Sequence, residues 1–71
     1  MDRKIIAKKL RELRGERTLE TVSVGTGLSV QALCNYESAI RIPRDEAKMA
    51  IAKYYGVPVV DIFFTDKVHE W

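Results

Sequence analysis

Two amide side chains with a cysteine between them form the most distinctive chemical pattern in the sequence. Gln31 and Asn35 lie four residues apart, with Cys34 just before the second. On a helix, this spacing puts all three on one face. A glutamine or asparagine amide donates and accepts at once and can therefore form a bidentate pair with adenine. Cys34 is small enough to accommodate a base edge, and Val30 can contact a thymine methyl.

A short helix has to carry these side chains. We predict a helix over residues 29–37, with Ser29 as its N-cap. Leu33 and Tyr36 would face inward, with Val30 as a third candidate.

The segment ahead of this helix, residues 18–24, is open to two interpretations. Its β-branched residues could form a strand; they are Thr18, Thr21, Val22 and Val24. A lone strand would have no mate in this chain, however, and Thr18 offers a helix N-cap. We therefore predict a short helix. Followed by a break at Gly25 and Gly27 and then a second helix, it has the layout of a helix-turn-helix.

One longer helix is predicted before this pair of helices and another after it. Residues 3–14 have apolar side chains at helical spacing, with Asp2 as the N-cap and Gly15 as the stop. Residues 45–55 begin with two acidic side chains and end at Gly56. The side chains expected to face the core are Ile6, Leu10, Leu13, Ala47, Ile51, Ala52 and Tyr55.

Pro58 suits the first turn of a last, short helix. Its inward side chains would be Val59, Ile62 and Phe63. The sequence thus predicts an all-α fold of five helices in one small domain, as expected for 71 residues. We assign residues 1–64 to the domain and residues 65–71 to a C-terminal tail.

The composition argues against several classes of protein. No apolar run approaches the roughly 20 residues of a membrane span, and the N-terminus lacks the apolar core of a signal peptide. Cys34 is the single cysteine, so no internal disulfide can form, and we expect a reducing cytoplasm. His69 is the single histidine, and no metal-ligand cluster, phosphate loop or nucleophile motif is present. We expect no enzyme, cofactor, metal site or small-molecule ligand.

Basic side chains are concentrated although the net charge is only +2. Most such residues in any protein are simply solvated. Arg41 and Arg44, just past the second helix of the pair, can nevertheless reach phosphates, as can Arg17 and Thr18 at the start of the first helix. Phosphate contacts position a protein on DNA without reading its sequence.

Short pieces spread over most of the chain indicate a family. They are LRELR at 10–14, GLS at 27–29, YE at 36–37, Arg41, Pro43, AKYYGV at 52–57 and DIF at 61–63. Each piece alone is weak. In this order and spacing, from about residue 6 to residue 64, they resemble the lambda-repressor-like, Cro-type (XRE family) helix-turn-helix DNA-binding domain.

The resemblance implies a five-helix bundle whose third helix lies in the major groove of double-stranded DNA. The side chains that it places towards the bases are Val30, Gln31, Cys34 and Asn35. Ser29 would lie near a phosphate. The resemblance also implies an ion pair between Arg14 and Glu37, of a kind that fixes geometry more reliably than it adds stability.

Four positions depart from the family's pattern. Leu19 stands where the family has glutamine, which removes one DNA contact. Ser23 replaces an alanine, and its hydroxyl needs a partner if it is buried. Thr26 replaces a large apolar residue, which predicts thinner packing under the turn. Ala39 replaces a glycine and costs on the order of 1 kcal/mol if its backbone is left-handed.

Apolar side chains also occur where solvent is expected, including Val24. A cluster at the end of the chain predicts an interface. Its members are Val60, Phe64, Val68 and Trp71. We expect a homodimer through this cluster, presenting two recognition helices to half-sites about one helical turn apart.

Two functions fit these features. The first is a sequence-specific DNA-binding transcriptional regulator, of a phage or bacterial repressor type. The alternative is a protein-interaction module on the same fold with weak or lost DNA binding, which Leu19, Val24 and Ala39 favour. A redox switch at Cys34 is a third hypothesis, and it requires a reactive thiolate.

Overall fold

The computed structural model describes residues 2–64, which form five α-helices and no strand. The helices are α1 (Arg3–Arg14), α2 (Leu19–Thr26), α3 (Val30–Glu37), α4 (Asp45–Tyr55) and α5 (Val59–Phe63). The prediction of an all-α, five-helix fold is confirmed. None of these helices is long and apolar enough to cross a membrane.

The helix ends follow the predicted caps with two corrections. The Asp2 side chain accepts hydrogen bonds from the N–H groups of Lys4 and Ile5, and α1 stops before Gly15. The helix predicted over residues 18–24 runs two residues further, to Thr26. Pro58 is the N-cap of α5 and does not lie in its first turn, because its ψ of 147° keeps it extended.

One core joins all five helices. Its buried side chains are Ile6, Leu10, Val22, Leu33, Ile51, Ala52, Ile62 and Phe63. α1 packs on α3 and α5, and α2 packs on α3 and α4. The two helices of the predicted motif therefore rest on a base formed by α1 and α4. The sequence makes Val30 a candidate for this core, but Val30 is 36% exposed and lies outside it.

Lys48 is the unexpected member of the interior. It is 9% exposed, and its Nζ lies 5.9 Å from the centre of the Phe63 ring and 6.0 Å from that of Phe64. Nζ also lies 3.8 Å from the exposed carboxylate of Asp45. The aliphatic part of the side chain is thus buried while the charge is shared between a carboxylate and two ring faces.

Candidate nucleic-acid interface

The turn between α2 and α3 is held by side-chain hydroxyls. Gly27 takes a left-handed φ of 77°, which lets the chain leave α2 sharply. Ser23 Oγ donates to the carbonyl of Leu28 at 2.5 Å. Thr26 Oγ1 donates to the carbonyl of Val22 at 2.8 Å and accepts from the Leu28 N–H at 3.2 Å. These bonds fix the direction in which α3 leaves the turn.

α3 presents the four predicted base-reading side chains on its outer side. Val30, Gln31 and Cys34 are exposed, and Asn35 is half-buried. Gln31 Nε2 donates to Asn35 Oδ1 at 3.1 Å, which links the two amides across one turn. Leu33, on the opposite side, is 3% exposed. The helix therefore has one side anchored in the core and one side available to a ligand.

Two arginines of α1 hold the last residue of α3. Arg14 Nε donates to both carboxylate oxygens of Glu37, at 3.0 and 2.9 Å, and Glu37 is 8% exposed. The ion pair that the resemblance implies is thus present. Arg11 Nη1 donates to the main-chain carbonyl of Glu37 at 2.5 Å. The role of Arg11 emerges only from the structure, because nothing in the sequence pairs an α1 side chain with a carbonyl 26 residues away.

Arg17 is exposed but contacts other residues of the protein. Its guanidinium carbon lies 5.6 Å from the centres of both the Tyr54 and Tyr55 rings, and its Nη1 donates to the carbonyl of Leu13 at 3.1 Å. Arg14 Nη1 in turn donates to the carbonyl of Arg17 at 2.7 Å. These contacts join the loop before α2 to α4, a role that the phosphate-contact prediction does not foresee.

The two tyrosines complete this network. Burial, followed by the negative charge of Glu37, raises the pKa of Tyr55 above its usual value. The Tyr54 ring lies so close to Gly25 that a Cβ there would overlap it. From the sequence, Gly25 is expected only as part of the turn. The structure shows that it is also the point at which α2 approaches α4.

The remaining predicted phosphate contacts surround α3. Ser29 caps the helix by accepting from the Ala32 N–H at 3.0 Å, a bond that leaves its hydroxyl hydrogen unused. Arg41 and Arg44 are exposed and line a cleft of about 320 Å³ beside Tyr36. Thr18 caps α2 by accepting from Thr21, and its hydroxyl donates to the Thr21 hydroxyl at 3.0 Å.

Comparison with known proteins decides the family. A helix-turn-helix family model matches residues 8–62, which contain the turn, α3 and the residues that anchor it. The chain belongs to this family. The resemblance to XRE-type helix-turn-helix domains is thereby confirmed.

The chain is also similar to a phage repressor. The chain is 35% identical over 60 residues to the cryptic phage CTXphi transcriptional repressor RstR of Vibrio cholerae. The match covers 82% of this chain and 54% of that repressor, so the chain spans about half the length of its relative. No solved structure shows significant similarity to the chain.

The four departures from the family's pattern are accommodated in different ways. Leu19 is partly buried and packs against the core, so it takes part in folding. The hydroxyls of Ser23 and Thr26 both have backbone partners, which meets the requirement for a buried hydroxyl. Ala39 has a φ of 64°, the strained left-handed conformation that its position predicts.

The apolar side chains expected at the surface are exposed where the structure describes them. Val24 is 87% exposed, Val60 53% and Phe64 43%. Val68 and Trp71, the other predicted interface residues, lie outside the described residues. Within residues 2–64, no group of three His, Cys, Asp or Glu side chains could hold a metal ion.

Proposed function

We propose that the chain is a sequence-specific DNA-binding transcriptional regulator, of a phage or bacterial repressor type, that inserts α3 into the major groove. The observation that carries this proposal is the construction of α3. Its outer side carries Val30, Gln31, Cys34 and Asn35, while its last residue is fixed by Arg11 and Arg14. A helix held this rigidly can present side chains to base edges at a defined depth. The family and the repressor named among its relatives support the same function.

The backbone contacts of the proposed complex lie at both ends of α3. Ser29 has a free hydroxyl hydrogen for a phosphate, and the exposed guanidinium groups of Arg41 and Arg44 lie beyond the C-terminal end. At the start of α2, Arg17 adds positive charge, and the exposed Thr18 side chain is the further phosphate contact of this proposal. Arg17 acts mainly by holding the loop, because its guanidinium already has partners.

We further propose that the regulator works as a homodimer in the cytoplasm and has no enzymatic activity. Residues 1–64 form the DNA-binding domain, and residues 65–71 extend the dimer surface that begins with Val60 and Phe64. Two-fold symmetry would then present two copies of α3 to a palindromic site.

Selection from random double-stranded DNA at two salt concentrations tests this function. A shared sequence should be enriched at both concentrations, with weaker binding at the higher one, because phosphate contacts release counterions. Binding that never enriches a sequence would contradict it.

The alternative, an interaction module without base reading, is favoured by one observation. Val24 is 87% exposed on α2, the first helix of the proposed DNA-binding motif, and an apolar side chain gains nothing from phosphates. An ordered dimer that binds no DNA even at low salt would support this alternative.

A further inference from the structure

The hydrogen bond between Gln31 and Asn35 limits what each amide can offer to a base. Gln31 Nε2 donates to Asn35 Oδ1 at 3.1 Å. Gln31 keeps its Oε1 and its second N–H for a ligand. Asn35 keeps both hydrogens on Nδ2, which no acceptor within residues 2–64 takes.

These free groups match different base edges. Adenine presents a donor at N6 and an acceptor at N7, which the Oε1 and remaining N–H of Gln31 can satisfy together. Asn35 offers mainly donors, because both Nδ2 hydrogens are free while one lone pair of its oxygen already accepts from Gln31. Donors suit O6 and N7 of guanine or O4 of thymine, and they oppose the amino group of cytosine.

The spacing of the two residues assigns them to neighbouring base pairs. Side chains four residues apart on a helix have Cβ atoms about 5–6 Å apart. Successive base pairs are about 3.4 Å apart along the DNA axis. Because this Cβ separation exceeds one base-pair step, the two amides can reach two adjacent bases while they bond to each other.

We propose that Gln31 and Asn35 read two adjacent base pairs as one unit. Gln31 pairs with adenine, and Asn35 holds the Gln31 amide in place while donating to a guanine or thymine beside it. Asn35 is therefore both a positioning residue and a specificity-determining residue. The inference rests on the proposed function, since it requires α3 to lie in the major groove.

The experiment is DNA selection with the wild-type chain and two variants, followed by measured affinities for sites changed at single bases. Wild type should select adenine next to guanine or thymine. Asn35→Ala should lose the neighbouring preference and also lower the discrimination for adenine by at least about twofold, because contacting side chains are coupled. Asn35→Asp keeps an oxygen that can accept from Gln31, so the preference for adenine should remain. Because aspartate has no donor, the preferred base at the adjacent position should change to cytosine.

Met49→Ala is the control, because Met49 is 65% exposed and lies on α4, not on α3. It should leave both preferences unchanged, and circular dichroism should show that every variant is folded. A wild-type selection without any enriched site would overturn the proposed function itself. An enriched site at which Asn35→Ala leaves adenine discrimination intact, or Asn35→Asp leaves the neighbour unchanged, would overturn only the coupled reading.

Discussion

At the scale of single residues, the protein separates polar groups that hold the fold from those left free for a ligand. The hydroxyls of Ser23 and Thr26 are taken up by carbonyls of the turn. The side chains of Arg41 and Arg44 are exposed instead. Residues of the second kind are where substitutions should change binding without unfolding the chain.

Arg41→Ala should weaken binding to all DNA sequences alike, because a phosphate contact carries no sequence information. The slope of log affinity against log salt should become shallower by about 0.9 for each phosphate that the variant no longer neutralises. Titrations at several salt concentrations measure this slope. Arg41→Lys is the control: it keeps the charge and should keep the slope. A change of sequence preference in Arg41→Ala would instead make this residue a base reader.

Ala39→Gly should stabilise the protein. Ala39 has a φ of 64°, which glycine adopts without strain. We expect the free energy of unfolding to rise by about 0.5–1 kcal/mol. This net value is the relief of backbone strain minus the cost of the greater conformational entropy of the unfolded chain with glycine. Thermal or urea unfolding measures it. Ala50→Gly is the control, because Ala50 lies within the regular helix α4. This variant should lower the free energy of unfolding by a similar amount. If Ala39→Gly and Ala50→Gly lowered the free energy of unfolding equally, the proposed strain at Ala39 would be disproved.

At the scale of elements, α3 depends on its neighbours for its position. An eight-residue helix is far too short to be stable alone. Its start is set by the Ser29 cap and the turn, and its end is set by α1 through Arg11 and Arg14. α2 is in turn seated on α4 where Gly25 meets Tyr54.

Removing one partner of the Arg14–Glu37 pair should be costly. Glu37 is 8% exposed, so Glu37→Ala leaves Arg14 without its carboxylate in a half-buried site. We expect a loss of about 2–4 kcal/mol in the free energy of unfolding, towards the lower side of fully buried pairs because Arg14 reaches solvent. Chemical denaturation of Arg14→Ala, Glu37→Ala and the double variant measures the coupling.

The loss of unfolding free energy in the double variant should be smaller than the sum of the losses in the two single variants, by at least about 0.5 kcal/mol. Glu12→Ala, at an exposed position on the same helix α1, is the control and should change stability little. Strictly additive losses would mean that the pair contributes no specific interaction.

At the scale of the whole molecule, apolar side chains remain exposed at the surface. In the proposed homodimer, a second copy of the chain would cover them. A domain of this size buries only about 60% of its unfolded surface, so an added interface would contribute substantially to stability. Val60 and Phe64 lie together at the end of the described chain and are 53% and 43% exposed.

If the proposed homodimer forms through this surface, Phe64→Asp should shift the protein from dimer to monomer, because it would place a charge in the proposed apolar interface. Sedimentation equilibrium measures the change, and affinity for a palindromic site should fall with it. Val24→Asp is the matched control, since Val24 is exposed but lies on α2. If Val24→Asp dissociated the dimer and Phe64→Asp did not, the interface would lie on α2.

The sequence predicts most of the helices because their signals are local. Residues 3–14 and 45–55 form helices with the predicted bounds, since capping residues and apolar spacing act within a few turns. The predicted C-terminal end of α2 lies two residues too early, since Thr26 bonds back to the carbonyl of Val22, an interaction that its residue type does not reveal.

The candidate interface depends both on local sequence and on tertiary contacts. By itself, the sequence determined that Gln31, Cys34 and Asn35 share one helical face, because helical periodicity follows from chain geometry alone. Only the tertiary structure decided that Arg17 binds Tyr54 and Tyr55, that Arg11 holds the end of α3, and that Gly25 gives room to a ring. Those contacts join residues far apart in the chain, and no local pattern encodes which distant side chain will fill a given space.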